Sequence, residues 1–378
     1  MNRENQNRLL DMIKVVALLL VSWAHYVSVG TWAVEVPGIL NGTLETPLFP
    51  VTEHGLYKLE SFFYTRFGIE FAVIGVVLFF LVSGYLTPRM QNKYNGECLW
   101  GGDDCLLFSR MRRIYPTLFV CVFLNAILVA RTQRIVYSWG DYLSTATVTI
   151  SITKFESTMG VLWYLMVLFF VYVLLTLVPH ITLENLTMVY IFLFILVFLP
   201  KAVGDFEYAW LIANLQFAAK YSGIVLVGAA AFLSKDCKWI SRGICLVWFF
   251  VLSFGLLVFA RYLYEDESTY SLLNTYIAAF LIIVMLKALD RLAGKVVDRF
   301  QRLISFINRI SLPFYLLHVH FGIITIYYFR KSGAGVVLSV FAAYIVSVII
   351  SLFVSLCVAK ATTSVSKQLH RFKQTGSS

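Results

Sequence analysis

The chain reads as an all-α integral membrane protein of about ten transmembrane helices, with both termini in the cytoplasm. Three observations carry that reading: the composition, a series of apolar runs of bilayer length, and the sidedness of the basic residues. Of the 378 residues, 59% are hydrophobic and 14% are Asp, Glu, Lys or Arg, against about 45–50% and about 25% in soluble domains. Too few polar residues remain to cover a water-facing surface. An ordinary cytosolic enzyme, a disordered chain and a collagen are excluded. The net charge of +10 does not call for nucleic acid, because the basic residues lie between apolar runs, where topology accounts for them. The six cysteines form no CxxC and no Cys/His ligand spacing, so neither a disulfide framework nor a metal site is expected.

A bilayer core asks for about 20 mostly apolar residues per helix. The first run, 9–29, is interrupted by Asp11 and Lys14 and continues to Val29 with no small-residue cleavage site. It is therefore a helix and not a signal peptide. The second and third lie at 67–87 and 114–130. The fourth, 160–179, starts around Trp163 and Tyr164, which read as interfacial aromatics. The fifth, 186–203, is the weakest, since Pro200 and Lys201 cut it short. The remaining runs lie at 213–233, 240–260, 271–288, 311–329 and 335–359.

Ten spans put both termini on one side. Segments on that side carry 20 Lys and Arg, and the opposite loops carry 9. Positive charge stays in the cytoplasm, which fixes the expected orientation. The loop 30–66, with Glu35, Glu45, Glu53 and Glu60, is expected to face outward. No separate soluble domain is evident. Residues 1–364 form one transmembrane domain and 365–378 a cytoplasmic tail. The stretch from Asn95 to Cys105 is Gly-rich but lacks the Lys-Ser/Thr ending and the preceding strand of a phosphate loop, so an ordinary loop is the better reading.

Ionisable groups inside spans are costly and usually face a protein interior. The first span holds Asp11, Lys14 and His25. At about 100° per residue, Lys14 and His25 share a face, with His25 about 16 Å further along. Ser22 lies on nearly the same stripe. The stripe reads either as a reaction path or as a snorkelling Lys plus a packed His. Arg110 and Arg113, three residues apart before the third span, form a cationic cluster with Arg112. Guanidinium binds phosphate oxygens in a fork, yet the same charges serve as a stop-transfer signal. In the ninth span His318 and His320 are two apart, so they face different ways. Glu70 and Lys220 are further polar residues in apolar surroundings.

Five segments in order are distinctive. They are Arg8 to Lys14 (RLLDMIK) continuing to His25 and Tyr26, Phe79 to Leu86 (FFLVSGYL), and Arg110 to Pro116 (RMRRIYP). Leu162 to Leu165 (LWYL) with Tyr172 and Pro179, and Ser311 to His318 (SLPFYLLH), complete the set. Together they resemble the membrane acyltransferase-3 family, which acylates carbohydrates of bacterial envelopes. The resemblance spans about residues 8–330. Val77, Leu168 and Phe169 stand where some members carry acidic residues, so roles of those acids do not transfer. The chain is similar to the LWYL-type branch without a fused extracellular domain.

The resemblance implies a multi-pass protein of the bacterial inner membrane. It implies transfer of an acetyl group from acetyl-coenzyme A to a hydroxyl of an envelope glycan, such as O-antigen, capsule or another surface polysaccharide. Lys14, Arg110 and Arg113 would hold the coenzyme's phosphates at the cytoplasmic mouth. His25 would act as general base or be acylated itself. Asp11 would pair with Lys14. Ser22 and Ser83 are candidates for oxyanion stabilisation, and Trp163 and His318 complete the candidates. No metal is implied. Membrane lipid and a carbohydrate or lipid-linked glycan acceptor are the expected partners. A glycan or small-solute transporter on the same fold is the rival reading, and a sensor with degenerate chemistry a third. Lys14–His25 together with the Arg110–Arg113 pair argues against transport, because a coenzyme needs phosphate anchors and a solute need not; the missing acidic residues favour the sensor reading.

Overall fold

The computed structural model describes residues 3–27, 55–91, 106–132, 137–149, 157–178, 180–203, 209–264 and 269–375. Helices fill nearly all of these, and no strand occurs among them. In chain order they are α1 (Arg3–Val27), α2 (Gly55–Phe67), α3 (Phe71–Gln91), α4 (Leu106–Thr132), α5 (Trp139–Thr147), α6 (Trp163–Thr176) and α7 (Leu183–Val203). Then follow α8 (Ala209–Leu233), α9 (Trp239–Tyr264), α10 (Thr269–Leu292), α11 (Gly294–Lys331) and α12 (Val336–Thr375). The loop Asn95 to Cys105 lies outside the described residues.

Among the described residues, eight helices are long and apolar enough to cross a membrane, and the stretches Gly160–Thr176 and Leu183–Leu199 are apolar but shorter. These elements fall on the ten apolar runs, with the two short ones on the fourth and fifth. Large apolar side chains such as Phe123, Trp248, Val251, Phe341 and Leu356 stand exposed on the outside. That is the pattern of a surface solvated by lipid, in a multi-pass membrane protein.

Four features depart from the sequence reading. Helices α2 and α5 arise in stretches read as loops. A capping box at Ser138 and Asp141 starts α5, and Val148, with φ 57°, ends it in a left-handed turn. Helix α11 begins at Gly294, well ahead of residue 311. Val297, Ile304, Ile307 and Ile310 recur there at helical spacing and turn inward, while Lys295, Arg299, Arg302 and Arg309 face out. Helix α12 continues past the last apolar run, 335–359, to Thr375. Between Gly335 and Gly376 the chain has neither Gly nor Pro to stop it. Finally, Glu60 on α2 does not face solvent. It is 8% exposed, with an Oε2 that meets no partner among the described residues, and burial, with Glu70 nearby, pushes its carboxyl up to about 7.

Close backbone contact holds the centre together. Helix α3 packs against α1 on one side and α8 on the other, and α11 packs against α1 and α12. Where α3 crosses α8, a Cβ on Gly84 would collide with the carbonyl of Val225, and one on Gly228 with the carbonyl of Leu81. Small residues let helices in lipid approach this closely. The obstacle is backbone, which cannot rotate away. Gly84→Val is therefore expected to destabilise the folded protein by about 1–3 kcal/mol, the usual cost of overpacking. Thermal unfolding of the detergent-solubilised protein checks this, and an unchanged midpoint would show that the crossing is looser than described.

Candidate active site

The site grows from the end of α1. Its first turns are tied down by Arg8, whose guanidinium reaches Asp290 on α10 and Asp298 on α11, both at 2.5 Å. Asn308 on α11 donates to the Asp11 carbonyl at 3.2 Å. The Asp11 carboxylate pairs with Lys14 at 3.2 Å, both half-buried. Eleven residues on, the imidazole of His25 stands 5.2 Å from that of His318, ring centre to ring centre, at 66°. The shared face of Lys14 and His25 thus leads from an ion pair to a pair of imidazoles inside the bundle.

Helix α11 supplies the second imidazole. His318 is fully buried, whereas His320 is half-buried, as their spacing of two requires. The ring of Phe314 stacks on His318 at 5.7 Å and 7°. Tyr26 braces the same turn. Its hydroxyl donates to the His318 carbonyl at 3.2 Å and lies 2.8 Å from the Ser347 hydroxyl. Gly322 makes room for the Tyr26 ring, which a Cβ there would strike.

Aromatic residues extend the site across α3 and α6. Tyr315 lies 6.0 Å from His318 and 5.2 Å from Tyr164, centre to centre. Tyr164 stacks on Phe80 at 4.8 Å, and its hydroxyl meets that of Ser83 at 3.2 Å. Trp163 points the other way, to Phe217 at 6.0 Å and Tyr221 at 5.3 Å. The interfacial-belt reading of Trp163 and Tyr164 is therefore corrected: Tyr164 is buried and Trp163 half-buried among helices. The cause is that α6 starts inside the protein. Asn125 donates to the Thr158 carbonyl at 2.9 Å, the Thr158 amide donates to Thr145 at 3.0 Å, and Tyr315 donates to the Val161 carbonyl at 3.2 Å. Tyr164, Tyr172 and Tyr315 were not among the candidate site residues, although each lies within the distinctive segments.

The arginines separate. The Arg110 guanidinium lies over the Tyr172 ring at 5.3 Å. Its Nε and Nη2 are buried and meet no acceptor among the described residues. A buried donor without an acceptor is costly, and more so a charged one. Arg112 and Arg113 are exposed. The three-residue spacing leaves Arg113 about 60° off the line of Arg110, enough to turn it away from Tyr172. Ser22 is buried between helices. Its hydroxyl donates to the Leu18 carbonyl at 2.8 Å and lies 3.1 Å from the Tyr344 hydroxyl. It joins α1 to α12.

The arrangement thus combines an imidazole pair, a guanidinium over an aromatic ring with two donor groups unpartnered among the described residues, and a contact between the Ser83 and Tyr164 hydroxyls, inside a helical membrane bundle. A family model described as an acyltransferase domain, of the acyltransferase-3 type, matches residues 7–359. Comparison with curated proteins and with solved structures found no significant match.

Proposed function

The chain belongs to the acyltransferase-3 family, and on that premise we propose that this membrane acyltransferase moves an acetyl group from cytoplasmic acetyl-coenzyme A to a hydroxyl of an envelope glycan, free or lipid-linked, in the bacterial inner membrane. The observation that carries the reading is Arg110: a guanidinium with two buried donor groups that meet no acceptor among the described residues, held over Tyr172. Such a group suits a phosphate oxygen brought by a ligand. Lys14, leaning on Asp11, supplies a second cation. His25 follows about 16 Å further along α1, a span that an extended pantetheine arm covers between phosphate and thioester.

His25 then works as a general base. Its imidazole takes the proton of the glycan hydroxyl as that oxygen attacks the thioester carbon. The new C–O bond forms, the C–S bond breaks, and the imidazolium returns its proton to the departing thiolate. Ser83 and Tyr164, in contact through their hydroxyls at 3.2 Å, are the donors best placed for the developing oxyanion.

The test is direct. Purified protein with acetyl-coenzyme A and a lipid-linked glycan should release free coenzyme thiol. Mass spectrometry of the glycan should then show the increment of one acetyl group. Thiol release without glycan acetylation would make the acceptor wrong. No release with any short-chain acyl donor would remove the enzymatic reading in favour of transport.

The orientation carries its own prediction. Cys237 is exposed in the turn between α8 and α9, on the side expected to be cytoplasmic. A membrane-impermeant maleimide should leave Cys237 unlabelled in intact cells and label it after permeabilisation. Labelling from outside would invert the topology and put the coenzyme mouth on the wrong face.

A further inference from the structure

The proposed reading uses one imidazole and leaves its neighbour unexplained. Nδ1 of His318 lies 2.8 Å from the Tyr315 carbonyl and 3.2 Å from the Phe314 carbonyl. A carbonyl only accepts, so Nδ1 carries the hydrogen and Nε2 carries a lone pair. That Nε2 is buried and meets no hydrogen-bonding group among the described residues. The ring cannot easily swing elsewhere, since Phe314 stacks on one face and Tyr26 and Tyr315 stand at 6.0 Å. Of these ring neighbours of His318, His25 lies nearest, at 5.2 Å between ring centres. At that separation, a modest rotation of His25 brings a ring N–H of His25 to hydrogen-bond length from an imidazole nitrogen.

We propose that His318 is the positioning residue for His25, accepting one ring N–H of His25 at its Nε2 lone pair. The inference rests on the acyl-transfer reading. The bond fixes the His25 tautomer, so that the other His25 nitrogen carries the lone pair used as base. When the hydroxyl proton moves to that nitrogen, His25 becomes imidazolium and its inner N–H tightens onto His318. No proton passes to His318; the imidazolium returns the one it took to the leaving thiolate. His318 thus takes the orienting place that a carboxylate holds in a Ser-His-Asp triad. A neutral acceptor suits that place inside a membrane, where a fixed charge is costly. Tyr26 on α1, Tyr315 and His320 on α11, and Tyr344 on α12 are the other titratable groups around the pair.

The experiment compares His318→Phe and His318→Gln with wild type at matched abundance. Phe keeps a ring of similar size but no lone pair, whereas the Gln amide oxygen can accept the same N–H. Expected for His318→Phe is a fall in kcat of about 10²-fold, with KM for acetyl-coenzyme A within about threefold, the signature of an interaction made in the transition state. Expected for His318→Gln is partial recovery. A kcat for His318→Phe within threefold of wild type overturns the proposal. So does an equal loss in both variants with KM rising alongside, the mark of a structural role. Nitrogen NMR of histidine-labelled wild-type protein decides where turnover is silent or a variant fails to insert. One fixed His25 tautomer with a hydrogen-bonded N–H supports the assignment, and a mixture of tautomers overturns it. A wild type that releases no thiol yet shows the fixed tautomer would refute acyl transfer and leave the imidazole pair standing.

Discussion

His25→Gln should yield a protein that inserts and packs normally and transfers almost no acyl group. The side chain is half-buried at the end of α1, while the neighbours that pack the core, Ala24 and Tyr26, are untouched. Gln keeps much of the volume and can still hydrogen-bond to His318. It cannot take the proton of an attacking hydroxyl near neutral pH, because an amide has no basic nitrogen. Positioned general bases contribute about 10²–10⁴-fold, so kcat should fall by that factor with KM for acetyl-coenzyme A little changed. Thiol release by wild type and variant at equal abundance is the measurement. A structural histidine gives the reverse pattern, with Gln tolerated and Ala destabilising. Activity of the Gln variant within a few-fold of wild type would take His25 out of the chemistry and make His318 the base to examine.

Sequence pattern carried the spans further than it carried the site. Apolar runs of bilayer length are a strong signal because lipid contact and burial both demand apolar side chains. The same indifference hides which face of each helix looks inward, so Trp163 and Tyr164 read as a belt although α6 starts within the bundle. The amphipathic start of α11 was missed because a run rich in Lys and Arg fails a hydropathy test while satisfying helical spacing. On α1 the Lys14–His25 register was legible, since both residues are polar in a single apolar helix and 3.6-residue geometry relates them. The His25–His318 contact was not, because nothing in the spacing of two residues 293 positions apart specifies a tertiary approach. Arg110 and Arg113 show the limit most clearly: spacing put them on one face, and only the position of Tyr172 separated them.

That separation leads to a second large effect. Arg110→Met should raise KM for acetyl-coenzyme A by about 10–100-fold, matching the loss of a charge-assisted hydrogen bond of about 1.5–3 kcal/mol. Arg113→Met, exposed and away from the Tyr172 ring, should raise it far less. Arg110→Lys should recover only part, because an ammonium neither forms the guanidinium fork nor lies flat on an aromatic face. The sign of the stability change separates a ligand-binding cation from a topological one. In the ligand-free protein, Arg110 keeps Nε and Nη2 buried without an acceptor among the described residues, which costs folding free energy. Replacing it with an apolar side chain of similar length removes that cost, as happens when buried charges give way to packed hydrophobes. The thermal midpoint of ligand-free Arg110→Met should therefore equal or exceed that of wild type, while added coenzyme, which stabilises whatever binds it, should raise the wild-type midpoint and barely move the variant's. A stop-transfer charge gives neither result: its loss lowers insertion and leaves KM unchanged. If Arg110→Met melts early and still saturates at wild-type coenzyme concentrations, the guanidinium holds the fold together and the phosphate anchor must be sought elsewhere, first at Lys14.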